Sequence, residues 1–252
     1  MKRFNSLVAT LLLSSVSVGA AEIRTHPKYG PNANRIYFSH EYIRKNQAPD
    51  FWALIPYYVH QQTASACSVA SVTMILNAIR APEDLTSTVE LLTQDSVLKY
   101  TGSSKWSKAV GKSGGGVTLD ELAGYFAEAL KKLKLSGWQI EAVHADNTPG
   151  FEKKLKEILI KNETSDRSFV LVNYLQGELT GDPEGSIGHL APIAAYDSTA
   201  SKVLVLDPDR QYYEPYWSPE KALVRAMNTV DKVSGKTRGF LWVYFNPSFS
   251  AK

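Results

Sequence analysis

One cysteine and five histidines make up all the thiol and imidazole chemistry in this chain, and their neighbours tell them apart. Cys67 opens the segment Ala66 to Ile79, in which Val69, Val72, Thr73, Leu76 and Ile79 recur at helical spacing. A thiol at a helix N-terminus meets amide N–H groups that have no partner within the helix, and the positive end of the helix dipole. Both favour the thiolate, which is the nucleophilic form. Thr63 or Ser65 stands where a cap for that helix is expected. Ala64, Ser65, Ala66, Ser68 and Ala70 are small, which leaves room for a substrate to approach the sulfur. The same position suits a small buried residue on a packed helix equally well, because unpaired cysteine is among the most buried residue types.

A thiol nucleophile needs a base, and the base needs an orienting partner. His26 lies in an irregular lead-in, His40 reads as a surface residue, and His144 falls in the polar turn Val143 to Asp146. His60 is near Cys67 in sequence. His189 differs from these, since Gly188-His-Leu-Ala-Pro-Ile-Ala-Ala-Tyr196 sets it at the opening of a strand after a Gly-rich loop. The next apolar run, Val203 to Leu206, ends on Asp207. A hairpin through Asp197-Ser198 brings His189 and Asp207 to one end of a sheet, where the carboxylate can fix the imidazole tautomer. Taken alone, an Asp before Pro at a strand end is also a common turn former.

The elements that must position these residues fall into two groups. Besides the Cys67 helix, Leu119 to Leu133 is amphipathic and opens on the capping box Thr118…Glu121, after a turn at Gly114 to Gly116. Phe151 to Lys161 is a further helix, with Leu155, Ile158 and Leu159 on one face. Asp50 to Val59 is a short helix or an extended piece. From Ser168 the period changes to that of strands: Ser168 to Tyr174, His189 to Tyr196, Lys202 to Leu206 and Arg238 to Phe245. Helices first and antiparallel strands second predict an α+β fold.

Composition narrows the function. The 252 residues are 44% hydrophobic and include 5 Trp, 13 Tyr and 9 Phe, which excludes a disordered chain. A single cysteine excludes an intrachain disulfide or a multi-thiolate metal centre. A net charge of +3 without a Lys/Arg block argues against a nucleic-acid partner. Residues 1–20 read as a secretory signal peptide: Lys2 and Arg3, an apolar run from Leu7 to Val18, and a small-residue cleavage site at Val18 to Ala21. The run is broken by Ser14, Ser15 and Ser17 and falls short of the roughly 20 apolar residues of a bilayer span. The expectation is an exported protein, periplasmic or secreted, with no membrane attachment after cleavage and a single domain over residues 21–252.

Beyond these readings, the sequence resembles the phytochelatin synthase family, a papain-like group of cysteine transferases and peptidases, over Phe51 to Val243. The resemblance rests on segments in a fixed order. They begin with Gln61-x5-Cys67-x-Val-Ala-Ser71, Thr93-Gln-Asp95, Gly116-Val-Thr-Leu-Asp-Glu121 and Val172-Asn-Tyr174. Gly188 to Tyr196 follows, then Leu206-Asp-x2-Arg210 and Ala226-Met-Asn-Thr-Val-Asp231 leading into Lys236-Thr-Arg-Gly-Phe240.

The resemblance implies a papain-like fold, helical in its N-terminal half with the catalytic cysteine at a helix N-terminus, and an antiparallel sheet in its C-terminal half. It implies that Cys67 attacks the Cys–Gly bond of glutathione, with His189 as base and then acid, Asp207 orienting it, and Gln61 in the oxyanion hole. Asp231 and Arg238 would hold the ammonium and carboxylate of the γ-glutamyl group, with Asn173, Gly188 and Arg210 as further substrate contacts. No cofactor is required and no metal site of its own is expected. Cadmium or zinc would enter as glutathione thiolates or activators, in heavy-metal detoxification.

Departures from the family pattern are Ala66 and Ser68 around the nucleophile, where Tyr and Gly are usual, and Ile187, where a second Gly often precedes the histidine. They bear on the acceptor site rather than on thioester formation. The chain ends soon after Val243, without the long Cys-rich extension of eukaryotic members, and short bacterial relatives favour hydrolysis over polymer synthesis. Two other readings stand beside this one: a papain-like peptidase acting on α-linked peptides, and a non-catalytic periplasmic thiol- or peptide-binding protein with Cys67 and His189 out of reach of each other. A homodimer stays open.

Overall fold

Apolar side chains on successive strand residues alternate between two faces, and here both faces are covered. In the computed structural model, which describes residues 29–82 and 89–249, a seven-stranded antiparallel sheet runs through the middle of the molecule. The strands are β1 (Asn34–Arg35), β2 (Trp138–His144), β3 (Ser168–Leu175), β4 (Gly188–Asp197), β5 (Lys202–Val205), β6 (Tyr216–Pro219) and β7 (Gly239–Phe245). Their spatial order is β1-β6-β5-β4-β3-β7-β2. Phe169, Leu171, Leu204, Leu241 and Val243 face one helical layer. That layer is α1 (Glu41–Lys45), α2 (Pro49–Leu54), α3 (Cys67–Arg80), α4 (Gln94–Thr101), α5 (Ser104–Ala109) and α6 (Leu119–Lys132). Val170, Val172, Ile193, Val203 and Phe240 face the other layer, α7 (Pro149–Asn162), α8 (Gln176–Thr180) and α9 (Glu220–Met227).

The architecture is α+β, with two differences from the helices-then-strands reading. β1 and β2 precede the main strand run, and α7, α8 and α9 are interleaved with the strands, because a sheet apolar on both faces needs a helical layer on each. The proposed signal peptide, residues 1–20, lies outside the described residues. Among those that are described, no helix is long and apolar enough to cross a membrane.

α3 is the central helix: every residue from Cys67 to Ile79 is buried, as expected of a helix apolar all round. Its polar side chains are satisfied in place. Asn77 exchanges two hydrogen bonds with the Leu92 backbone, each 2.9 Å. Ser71 Oγ donates to the Leu190 carbonyl at 3.1 Å, which ties α3 directly to the start of β4. α6 carries its capping box as read, Thr118 with Glu121.

The described part of the lead-in, from Tyr29 onward, runs along the outer side of β6. β1 pairs with β6 at Asn34↔Trp217 and Arg35↔Tyr216. Arg35 is ion-paired with Glu214 at 2.9 Å, and the Asn32 N–H donates to the Thr180 carbonyl at 3.0 Å. Tyr29 accepts the Glu214 N–H through its hydroxyl at 2.6 Å and sets its ring edge-on to Tyr213 and Tyr216.

One buried carboxyl works against the fold. Asp50, at the start of α2, is 2% exposed; Asn162 donates to its Oδ2 at 3.1 Å, while its Oδ1 is buried with no partner. Burial and then the nearby Glu163 charge push Asp50 well above the usual carboxylate range. The folded state therefore holds this proton more tightly than the unfolded chain, so stability falls as pH rises from about 4 through the raised folded value. Asp50→Asn, which cannot ionise, is expected to stabilise the protein by about 1–3 kcal/mol at neutral pH and to flatten this dependence. Urea unfolding at pH 5 and pH 8 checks both.

Candidate active site

The loop into α3 delivers Cys67 without the cap expected from the sequence. The N-cap is Ala66, and neither Thr63 nor Ser65 bonds the helix end. Their hydroxyls are used within the same helical layer instead: Thr63 donates to the Val110 carbonyl at 2.6 Å, and Ser65 to the Gly114 carbonyl. The first amides of α3 thus have no side-chain cap, and their positive potential is directed at the Cys67 end. The loop is also tied to the acid's own turn, since the Gln61 N–H donates to the Pro208 carbonyl at 2.8 Å.

The β4–β5 hairpin forms as expected, and it brings His189 and Asp207 together at the sheet end. His189 Nε2 lies 2.7 Å from Asp207 Oδ1, and the two side chains are 4% and 0% exposed. The Cys67 thiol lies close enough to the same imidazole to raise its hold on the proton, together with Asp207. Burial alone would drive His189 neutral. The Asp207 carboxylate, with Cys67 acting in the same direction, outweighs that, and the imidazole keeps its proton well above the usual histidine range. Burial pushes Asp207 up, but the His189 charge and hydrogen bond, the Asp209 N–H and the Tyr174 hydroxyl bring it below the usual carboxylate range. A cysteine at a helix N-terminus beside an imidazolium held by a carboxylate can act as a nucleophile with a built-in acid for the leaving group.

Cys67 lies at a cavity of about 410 Å³, whose lining includes Gly116, Asn173, Gly188, Asp231 and Arg238. Arg238 is 8% exposed and donates through Nη1 to Thr229 Oγ1 (3.0 Å) and the Val230 carbonyl (2.8 Å). The guanidinium packs over Gly188, where an added Cβ would meet Nη2 at 2.9 Å. Asp231 closes its own turn by accepting from the Val233 N–H and Ser234 Oγ, and among the described residues it is not ion-paired with Arg238. Asn173 donates to the His189 carbonyl at 3.2 Å, and its Oδ1 is buried and unpartnered. The cleft therefore offers a carboxylate, a desolvated guanidinium and an amide oxygen without a partner. A larger hollow of about 700 Å³, lined by Lys153, Lys156, Lys221 and Arg225 among others, lies between α7 and α9 and holds none of the triad.

Two expected site residues are not part of the lining of the Cys67 cavity. Arg210 is exposed, with its guanidinium 4.6 Å from the Tyr58 ring centroid, and does not line the Cys67 cavity. Gln61 is half-buried just before the nucleophile loop, with its Oε1 unpartnered, and also lies outside that lining. His40 and His60 are exposed. His144 is not in a turn: it ends β2, and its ring bonds the Thr237 carbonyl (2.6 Å) and Asp120 (2.9 Å). Sequence reasoning missed the tyrosines around the acid. Tyr58 donates to the Asp207 carbonyl at 2.6 Å, and Tyr174 and Tyr216 donate to its Oδ2 at 3.0 and 3.2 Å.

The family model described as phytochelatin synthase matches residues 33–240. Among curated proteins, the chain is 27% identical over 217 residues to glutathione γ-glutamylcysteinyltransferase 1 of Lotus japonicus, covering 81% of this chain and 37% of that protein. It is 25% identical to enzyme 2 of Arabidopsis thaliana, covering 81% and 41%. To the enzyme of Schizosaccharomyces pombe it is 20% identical, covering 79% and 44%. The chain thus spans less than half the length of the relatives it matches.

Proposed function

The chain belongs to the phytochelatin synthase family, and from that premise we propose that it is a papain-like, cysteine-dependent enzyme acting on glutathione, mainly a hydrolase that releases glycine, with γ-glutamylcysteine transfer to a second glutathione as its other outcome. The observation that carries this reading is the buried His189–Asp207 pair, with Cys67 close enough to act on the imidazole, at the lip of a cavity that also holds Asp231 and Arg238. A γ-linked glutamate presents an α-ammonium and an α-carboxylate, and this pair of residues complements them in charge, with Arg238 offering its fork to the carboxylate.

In the proposed reaction the Cys67 thiolate attacks the carbonyl carbon of the Cys–Gly bond. The Cys67 backbone N–H and the Gln61 side-chain amide meet the developing oxyanion. His189 gives its proton to the glycine nitrogen as the C–N bond breaks, leaving a γ-glutamylcysteinyl thioester. It then takes a proton from water or from the amino group of a second glutathione as that nucleophile attacks the thioester carbonyl. The C–S bond breaks, releasing γ-glutamylcysteine or (γ-Glu-Cys)2-Gly and returning the Cys67 thiolate beside protonated His189. Cadmium or zinc enters as substrate, bound to glutathione thiolates. The leader pattern supports export to the periplasm or beyond. Against a non-catalytic binding protein stands the nearness of Cys67 to His189, close enough to act on its titration.

Mass spectrometry of the protein incubated with glutathione, with and without cadmium, tests the reading. Glycine with γ-glutamylcysteine is the expected product set, and products with two or more γ-Glu-Cys units would mark transfer. Cleavage of α-glutamyl but not γ-glutamyl tripeptides would overturn it in favour of an ordinary peptidase.

A further inference from the structure

Asp207 is a fully buried carboxylate, and a carboxylate has two oxygens to satisfy. Oδ1 accepts from His189 Nε2 and from the Asp209 N–H at 2.9 Å. Oδ2 would be a desolvated anionic oxygen without a donor, a costly arrangement, were it not for the phenols of Tyr174 and Tyr216 at 3.0 and 3.2 Å. These two hydroxyls lie 3.3 Å from each other. We propose that Tyr174 and Tyr216 are positioning residues of the reaction, two phenol donors that hold the Asp207 carboxylate ionised and turned so that Oδ1 meets His189. The proposal rests on the reading of Cys67, His189 and Asp207 as the catalytic line.

The fold puts the two phenols there from opposite sides. Tyr174 is the register partner of His189 in the β3–β4 pairing, and its ring stands edge-on to the imidazole at 5.6 Å and 81°. It therefore contacts base and acid at once. Tyr216 is the partner of Val205 in the β5–β6 pairing, and Val205 lies one same-face step before Asp207. Its ring is backed by Tyr213 at 5.4 Å and by Tyr29 of the lead-in at 6.4 Å. A phenylalanine at either position would fill the same space; only the hydroxyl serves the carboxylate. Burial first, and then the Asp207 charge, push both phenols well above the usual tyrosine range, so each keeps the proton it donates at any working pH.

Removing the donors makes Asp207 easier to protonate and frees its plane to rotate. Tyr174→Phe and Tyr216→Phe should each lower kcat/KM for glycine release roughly tenfold, and the double variant by more, because a hydrogen bond to a buried charge is lost each time. The acid limb of the kcat/KM profile should move to higher pH with KM little changed. The rate of Cys67 alkylation by iodoacetamide against pH should show the same displacement without any substrate. This second readout judges the proposal even if glutathione is the wrong substrate. Wild-type pH profiles and rates in a double variant that melts like the parent would overturn it. If the double variant does not fold, the two single variants decide on the same profiles.

Discussion

Cys67→Ala is expected to yield a folded protein that releases no glycine from glutathione, a fall in kcat of about a millionfold by analogy with removal of other activated nucleophiles. Sγ is the only thiol in the chain, and none of the hydroxyls at the start of α3 can replace it. Ser65 is engaged with Gly114, and Ser68 accepts the Trp106 indole N–H at 3.1 Å. Loss of one sulfur atom beside an existing cavity leaves the packing of α3 intact, so the melting temperature should stay close to that of the parent. Free glycine measured by mass spectrometry, with a thermal melt of the same sample, settles both halves. Retained glycine release in a quantitatively substituted protein would refute the thioester mechanism.

Asp207→Asn should lower turnover by about ten-thousandfold, the cost of losing the orienting carboxylate in an analogous triad. The sign of its pH effect follows from the balance at His189. Burial drives the imidazole towards neutrality and the Asp207 charge reverses this, so without the charge the proton is lost at lower pH and the basic limb of activity moves down. Stability shifts in a matching way. In the parent, His189 contributes stability that is complete below about pH 6.5 and is lost as pH rises through its raised folded value. Asp207 contributes stability present above about pH 4 and lost as pH falls through its lowered folded value. The asparagine variant removes the Asp207 dependence and the stability that protonated His189 adds at low pH, which paired denaturation curves at acid and alkaline pH would register.

The grouping of Cys67, His189 and Asp207 was legible because each marks an element boundary: Cys67 opens α3, His189 is the second residue of β4, and Asp207 follows the end of β5. A hairpin places two strand ends together by geometry alone, so the His189–Asp207 pairing followed from the turn at Asp197-Ser198. The phenols had no comparable signal. Tyr174 closes an apolar run and reads as a core residue, and its partner is 33 residues away in the chain. Tyr216 follows Pro215 in an aromatic stretch that reads as a loop, and β6 is only four residues long. β2 went unseen because it is half-buried at the edge of the sheet, paired with β7 alone. The expected cap on α3 failed for a tertiary reason, since Thr63 and Ser65 found carbonyls after α5, at Val110 and Gly114. Arg210 has the family's spacing from Asp207 but lies over Tyr58, a contact that linear distance does not encode.

The segment from Tyr29 to Arg35 backs the sheet edge beside the Asp207 phenols. A cut beyond Tyr29 takes away the ring behind Tyr216, and one beyond Arg35 also takes β1, opening the backbone of β6 as an unpaired sheet edge. A chain shortened past these residues would keep Cys67 and still be stickier and less firmly packed around Asp207.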